Sequence, residues 1–201
     1  MKDVWITQLR DKQSAMDQFR QAAHQLGRWL ALEIASLVES VPCLVSSPLA
    51  ETAGSRVNQE VVLVPIVRAG LALLPAFMDV FPRARVAFLG LRRNEETAQA
   101  EEYYANIPKL RGNETVIVLD PMLATGGSAI LTCERLVQAG VEPSRLMMAS
   151  VIGAPEGMNA LIQAIPQIQL VVAQMDSHLN EQKFIVPGLG DFGDRYFGTD
   201  E

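Results

Sequence analysis

The chain has 201 residues, 49% of them hydrophobic, with 17 Lys and Arg against 23 Asp and Glu, a formal charge of -6. One domain spanning 1–201 can bury a full core at that length, and an acidic chain without a Lys/Arg run lacks the footprint of a nucleic-acid or anionic-membrane binder. Cys43 and Cys133 stand far apart without metal-ligand spacing, nothing at the start resembles a signal peptide, and no apolar run has the length of a membrane helix, so a cytoplasmic location is expected.

In chain order, Phe19, Ala23, Leu26, Leu30, Ile34 and Leu37 recur at helical spacing and predict a long amphipathic helix from Ser14 to Val38. His24 lies within it without a second ligand nearby and is given no chemistry. Residues 41–59, with Pro42, Pro48 and Gly54, read as short strands or loops at the edge of a sheet. Val61 to Ile66 is an unbroken apolar run suited to a strand buried on both faces, and it ends in Val67-Arg68-Ala69-Gly70. Arg68 thus stands at a strand's carboxyl end, where a surface ion pair and an anionic ligand are the two readings. A third strand is expected from Arg85 to Leu91. The polar stretch after it, through Arg92, Arg93 and Tyr104 to Pro108, is a long loop or hairpin that suits either a lid or a solvated connection.

The stretch from Thr115 to Gly140 reads strand, loop, helix: a β-branched run ending in Asp120, then Pro121-Met122-Leu123-Ala124-Thr125-Gly126-Gly127, then helical spacing from Ser128. Small residues let the backbone approach a ligand, and N–H groups at a helix start suit a phosphate. Asp120, at the strand's carboxyl end, is placed to accept from hydroxyls of a sugar bearing that phosphate. A plain helix N-cap by Thr125 or Ser128 is the competing explanation. Cys133, inside that helix, reads as a small core residue. Further strands are expected at 145–152, 168–173 and 184–186, with a short helix at 155–164, where Pro155 and Glu156 suit a first turn. The alternation predicts an α/β fold: a mostly parallel central sheet with helices on both faces. Pro187-Gly188-Leu189-Gly190-Asp191-Phe192-Gly193-Asp194 fixes a tight path that presents main-chain groups, either as a ligand pocket or as a structural turn. His178, close by, is given no catalytic role.

Four of these stretches together, Pro65 to Leu71, Arg93-Asn94-Glu95-Glu96-Thr97, Asp120 to Ser128 and Pro187 to Asp194, resemble the uracil phosphoribosyltransferase family, from about Val61 to the C-terminus. The resemblance implies a type I phosphoribosyltransferase fold with a small hood built from N-terminal and C-terminal segments, residues 41–59 contributing. It implies transfer of phosphoribosyl from 5-phospho-α-D-ribose 1-diphosphate to uracil, giving UMP and diphosphate in pyrimidine salvage. Arg68, Arg93 and Asp191 are then the catalytic candidates. The diphosphate substrate falls to Arg68, Arg93, Asp191 and the loop Asp120, Pro121, Met122, Leu123, Ala124, Thr125, Gly126, Gly127 and Ser128; uracil falls to Ile185, Gly190, Asp191 and Phe192. Mg²⁺ would arrive on the diphosphate, without a direct side-chain ligand, Asp191 reaching it through water. GTP as an activator and assembly into a homodimer or larger homo-oligomer are further implications. The N-terminal part departs from the family pattern: there is no His-Pro-Leu segment, and Leu32-Glu33 stands where Tyr-Glu is often met.

Other classes fit less well. No GxxxxGK[ST] run supports a P-loop enzyme, and no GxGxxG follows the first strand. A transferase acting on another base and a regulatory protein that keeps the fold to sense a nucleotide are the remaining rivals.

Overall fold

The computed structural model describes residues 1–93 and 100–199, with the Arg93 side chain outside that description. It opens with a helix, α1 (Lys2–Arg10), for which the sequence carries little signal, because only Ile6 and Leu9 are buried. Its docking is largely polar; the Lys2 ammonium, for example, donates to the Ala173 carbonyl at 2.8 Å. The expected long helix is α2 (Met16–Leu37), and its buried stripe holds Phe19, Ala23, Leu26, Leu30 and Ile34 as predicted. The Gln18 side chain accepts from the Ala15 N–H at 3.1 Å, half of a capping box. Leu37, expected on that stripe, is 46% exposed, because the helix stops there and the extended Val38 takes the inward position.

Residues 40–57 form a separate antiparallel ribbon, β1 (Ser40–Ser46) with β2 (Glu51–Val57), and not an edge of the main sheet. The sequence of β2, ETAGSRV, has no apolar face to bury. The ribbon meets the body at the start of β3 (Val61–Val67), the end of that strand away from Arg68.

The main sheet adds β4 (Arg85–Val86), β5 (Phe88–Arg93), β6 (Ala100–Asn106), β7 (Thr115–Leu119), β8 (Met122–Leu123), β9 (Leu146–Gly153) and β10 (Gln169–Met175). Its main path runs β10-β9-β7-β3-β5-β6, and within it only β5 and β6 pair antiparallel. The strand expected at 85–91 is split at Ala87, whose N–H goes to the Leu63 carbonyl at 2.9 Å. The stretch expected as a long loop or hairpin is the β5–β6 hairpin.

Successive residues of β3 and β7 point to opposite faces. Val61, Leu63, Ile117 and Leu119 join one core with Phe19, Leu26 and Leu30 of α2 and Phe77 of α3 (Leu74–Val80). Val62, Val64, Val116 and Val118 join a second with Cys133 and Leu136 of α4 (Gly127–Gln138) and Leu161 of α5 (Pro155–Ala164). Each such aliphatic side chain contributes about 1.5–3 kcal/mol by burial, so truncating Leu63 should cost about 2–5 kcal/mol. Cys133 is the expected core residue; burial pushes its thiol up to about 12.

From β3 the chain moves to β5 on one side, then returns to β7, β9 and β10 on the other. The carboxyl ends of β3 and β7 therefore flank a switch point, where open α/β sheets bind ligands. Past β10, the two-residue strands β11 (His178–Leu179) and β12 (Ile185–Val186) pair antiparallel, and α6 (Phe192–Phe197) closes the described chain.

Candidate active site

Arg68 and Asp120 leave the two strands that flank the switch point, β3 and β7. Arg68 follows a cis peptide with Val67. Its guanidinium is 59% exposed and only loosely engaged, 3.3 Å from Asp194 Oδ1 and 3.4 Å from Thr199 Oγ1.

The backbone of Asp120 is pinned to β9: its N–H reaches the Ala149 carbonyl at 3.2 Å, and its own carbonyl accepts the Ser150 hydroxyl at 2.7 Å. Its carboxylate has much less, a single Met122 N–H at 3.3 Å. Burial pushes this carboxyl up to about 7; the Met122 N–H works against the rise and the charge of Asp191 adds to it. A carboxylate fixed in place yet short of donors is suited to accept from a sugar's hydroxyls.

The loop beyond is held from below. Pro121 O accepts the N–H groups of Val151 and Ile152, both at 3.0 Å, and Leu123 O accepts that of Ala154 at 2.9 Å. Gly126 then takes φ +84°, a left-handed conformation, as the N-cap of α4. A Cβ there would lie 2.9 Å from the Gly157 carbonyl oxygen, and one on Gly157 would lie 2.3 Å from that of Ala124, so the loop and the start of α5 touch backbone to backbone. Neither Thr125 nor Ser128 caps α4; Thr125 Oγ1 is 3.5 Å from the Gly127 N–H, at the limit of a hydrogen bond. The first-turn N–H groups thus remain for a ligand. Asp120 and Met122 to Ala129 line a cup of about 80 Å³ there.

A larger cavity of about 320 Å³ joins this loop to the C-terminal segment. Met122, Ala124, Thr125, Gly127 and Ser128 line one side, and Gly190, Asp191, Lys183 and Phe184 the other. The structure thus brings Gly190 and Asp191 to the loop predicted from sequence. Asp191 also serves the fold, since as N-cap of α6 its Oδ1 accepts the Asp194 N–H at 2.9 Å. The Phe192 ring is fully buried, edge-on to Phe19 at 5.1 Å between centroids, so its side chain serves the core, and neither Phe192 nor Ile185 is among the residues that line this cavity. Ile185 is likewise buried at the root of the segment.

Sequence reasoning missed Lys183 and Phe184. Lys183 adopts φ +67°, rare for a residue with a side chain, and Phe184 is 57% exposed beside the cavity. Asn180 shapes their turn, its carbonyl accepting the Lys183 N–H and its side chain the Phe184 N–H at 2.8 Å. An Asn opening a short loop between two strand-like runs was the available signal. Glu156 does more than favour the start of α5: it accepts the Leu179 N–H at 2.9 Å, and that bond holds its carboxyl below the usual range. Arg92 approaches Glu101 at 3.6 Å. The Arg93 side chain and residues 94–97 of the same motif lie outside the described residues.

Among the described residues no group of three or more His, Cys, Asp or Glu could hold a metal, and no helix is long and apolar enough to cross a membrane. Asp120 and Asp191, two carboxylates within electrostatic reach, do offer the oxygen donors that suit a cation carried in by phosphates.

A switch-point crevice holding an Asp-terminated strand and a glycine loop at a helix start defines the type I phosphoribosyltransferase class. Hypoxanthine phosphoribosyltransferase from Trypanosoma cruzi, solved with its product IMP, shares this fold at a TM-score of 0.52 and 13% identity, over 80% of this chain and 75% of that one. The family described as uracil phosphoribosyltransferase matches residues 2–199. Uracil phosphoribosyltransferase of Synechococcus elongatus is 42% identical over 97% of this chain and 92% of its own length, and that of Salinibacter ruber 40% over 98% and 92%. The solved AQ2163 protein of Aquifex aeolicus superposes at a TM-score of 0.90 with 32% identity, covering 99% of this chain and 95% of that one. The chain belongs to the uracil phosphoribosyltransferase family, whose members are pentosyltransferases. The likeness begins at residue 2, so it also takes in the N-terminal part that the four motifs leave outside it.

Proposed function

We propose that the protein transfers phosphoribosyl from 5-phospho-α-D-ribose 1-diphosphate to uracil, giving UMP and diphosphate. One observation carries the reading: Thr125, Gly127 and Ser128 of the phosphate loop and Gly190 and Asp191 of the C-terminal segment line a single cavity of about 320 Å³, so a sugar phosphate and a base can meet in it. The first-turn N–H groups of α4 would hold the 5'-phosphate and Asp120 the ribose hydroxyls. The main-chain groups of Ile185 and of Gly190 to Phe192 would match the alternating donors and acceptors of uracil. As the anomeric carbon loses diphosphate, negative charge grows on the leaving group, and Arg68 and Arg93 would stabilise it there. Arg68 is exposed and weakly held, so little is lost when it turns to a ligand. Mg²⁺, arriving on the diphosphate and reached by Asp191 through water, would supply further charge neutralisation there.

In this reading the hood is α1 with residues 176–191, which Arg10 and Arg195 tie together at Gly188 and Leu189; residues 41–59, expected to contribute, are the ribbon at the opposite end of β3 and are left out of it. The protein would act in pyrimidine salvage in the cytoplasm, and GTP activation is carried over from the family without an assigned residue. Leu44, Val45, Leu49 and Val57 are exposed on the β1–β2 ribbon, which supports burial against a second copy in a homodimer or larger assembly. Incubating the protein with the diphosphate substrate, Mg²⁺ and single bases tests the function. UMP formed from uracil, with no nucleotide from hypoxanthine or adenine, is the expected result; nucleotide from a purine alone, or none, would overturn it.

A further inference from the structure

Two guanidinium groups converge on the short segment just ahead of Gly190 and Asp191. Arg10, the last residue of α1, donates through Nη1 to the Gly188 carbonyl and to Asp176 Oδ2, both at 3.1 Å, and through Nη2 to Asp176 Oδ1. Asp176 also accepts the Gly188 N–H at 2.8 Å, so one carboxylate and one guanidinium hold both polar groups of Gly188. The Asp176 side chain is 1% exposed. Arg195 donates to the Leu189 carbonyl at 2.7 Å and to the carbonyls of Leu9 and Asp11, tying the same segment to the same end of α1. Gly188 has φ +66°, and a Cβ on it would lie 2.2 Å from the Ile185 carbonyl oxygen, so the path has no slack on its inner side.

These ties end on the peptides that precede the proposed uracil contacts. A base read by main-chain groups depends on the direction of those N–H and C=O bonds, which no side-chain rotation can restore if the backbone shifts. We propose that Arg10 and Asp176 are positioning residues that set the affinity for uracil by fixing the 188–191 main chain, so that α1 acts on base binding without reaching the base. The inference rests on the proposed function for the identity of the base. The loop from Asp120 to Ser128 is pinned independently to β9 and α5 and should not respond.

Arg10→Lys is the main test, because an ammonium keeps the charge beside Asp176 but lacks the planar fork that reaches two acceptors at once. KM for uracil should rise about tenfold with kcat changed less than about threefold, affinity for the diphosphate substrate alone, which Asp191 touches only at its edge, should fall by less than about threefold, and the Gly188 amide should exchange faster. Asp176→Asn, which keeps an oxygen for the Gly188 N–H, should give a smaller rise in KM of the same kind and stands in should Arg10→Lys fail to fold. Lys2→Ala cuts another tie of α1, to Ala173, and should leave KM unchanged. Wild-type KM and Gly188 protection in Arg10→Lys would overturn the proposal. So would an equal loss of affinity for both substrates, or an equal rise in KM from Lys2→Ala, since either marks general loosening. If the wild-type protein makes no UMP, the proposed function falls, while exchange at Gly188 still judges the clamp.

Discussion

Glu114 and Asp120 flank the same strand, β7, and meet opposite treatment. Glu114 has a 1% exposed side chain at the rim of the sheet. Burial works to raise its carboxyl, but the N–H groups of Arg111 and Gly112, each at 3.0 Å, and the Arg85 guanidinium at 2.7 Å outweigh that and hold it below the usual range. Asp120 has one N–H at 3.3 Å, a second carboxylate for company, and a carboxyl pushed up to about 7. A buried carboxylate whose partners are all supplied by the chain is part of the fold; a half-buried one whose partners are missing is held ready for something the chain does not contain.

The largest expected effect comes from breaking the satisfied end. Glu114→Ala leaves the Arg111 and Gly112 N–H groups without their acceptor and takes one partner from the Arg85 guanidinium, which keeps Glu60 at 3.2 Å and the Lys109 carbonyl at 3.1 Å; it should cost about 2–4 kcal/mol of stability, read from the denaturation midpoint. Affinity for the diphosphate substrate, measured on the folded fraction, should not change. Wild-type stability would show that the network at this end is ornamental.

The phosphate loop divides in the same way over two neighbours. A Cβ at Gly127 meets only Thr125 Oγ1 at 3.7 Å, whereas one at Gly126 is both strained and crowded. Gly127→Val should therefore fold with a normal melting temperature and bind no detectable diphosphate substrate in calorimetry, its side chain filling the cup. Gly126→Val should lose stability as well. Equal binding by wild type and Gly127→Val would leave the loop as a helix start and nothing more.

How much of this was legible depended on whether the chemistry lay along the chain. The stretch from Asp120 to Ser128 carries strand end, carboxylate, small residues and helix start in consecutive positions, and the alternating cores of β3 and β7 follow from their apolar runs. Glu114 gave no signal, because Arg85 stands 29 residues away and the hydrogen bonds from Arg111 and Gly112 depend on a local turn. Helix α1 escapes notice for a similar reason: with Ile6 and Leu9 its only buried residues, it is held by contacts to Ala173, Asp176 and Gly188 at the far end of the chain. Phe192 reads as a ligand-side aromatic in the sequence because its packing partner, Phe19, lies in α2.

Smaller effects sharpen the ligand end. Arg93→Ala would remove the charge-assisted contact proposed for it, worth about 1.5–3 kcal/mol, and should lower kcat/KM by about tenfold to a hundredfold. Arg92, 71% exposed and 3.6 Å from Glu101, is an ordinary surface pair, so Arg92→Ala should lower it far less. Equal losses would mean that the wrong arginine is assigned.

A further effect is in pH. Asp120 keeps its proton up to about 7 in the folded chain, against a usual value of 3.8. Between those values the folded chain binds more protons than the unfolded one, so this group lowers stability as pH rises from about 4 to about 7. Subtracting the stability curve of Asp120→Asn from that of the wild type should reveal this fall; a flat difference would place Asp120 among ordinary carboxylates.

The contrast between the two ends of β7 is tested most directly by Asp120→Asn at pH 8, where the wild-type carboxyl is ionised, with substrate affinity and folding stability measured on the same preparation. The neutral amide relieves a half-buried charge that Asp191 opposes but accepts hydroxyls less strongly. Affinity for 5-phospho-α-D-ribose 1-diphosphate should fall by about tenfold or more while stability stays at or above the wild-type value. Unchanged affinity together with a loss of several kcal/mol in stability would contradict the account, since Asp120 would then be a structural carboxylate like Glu114.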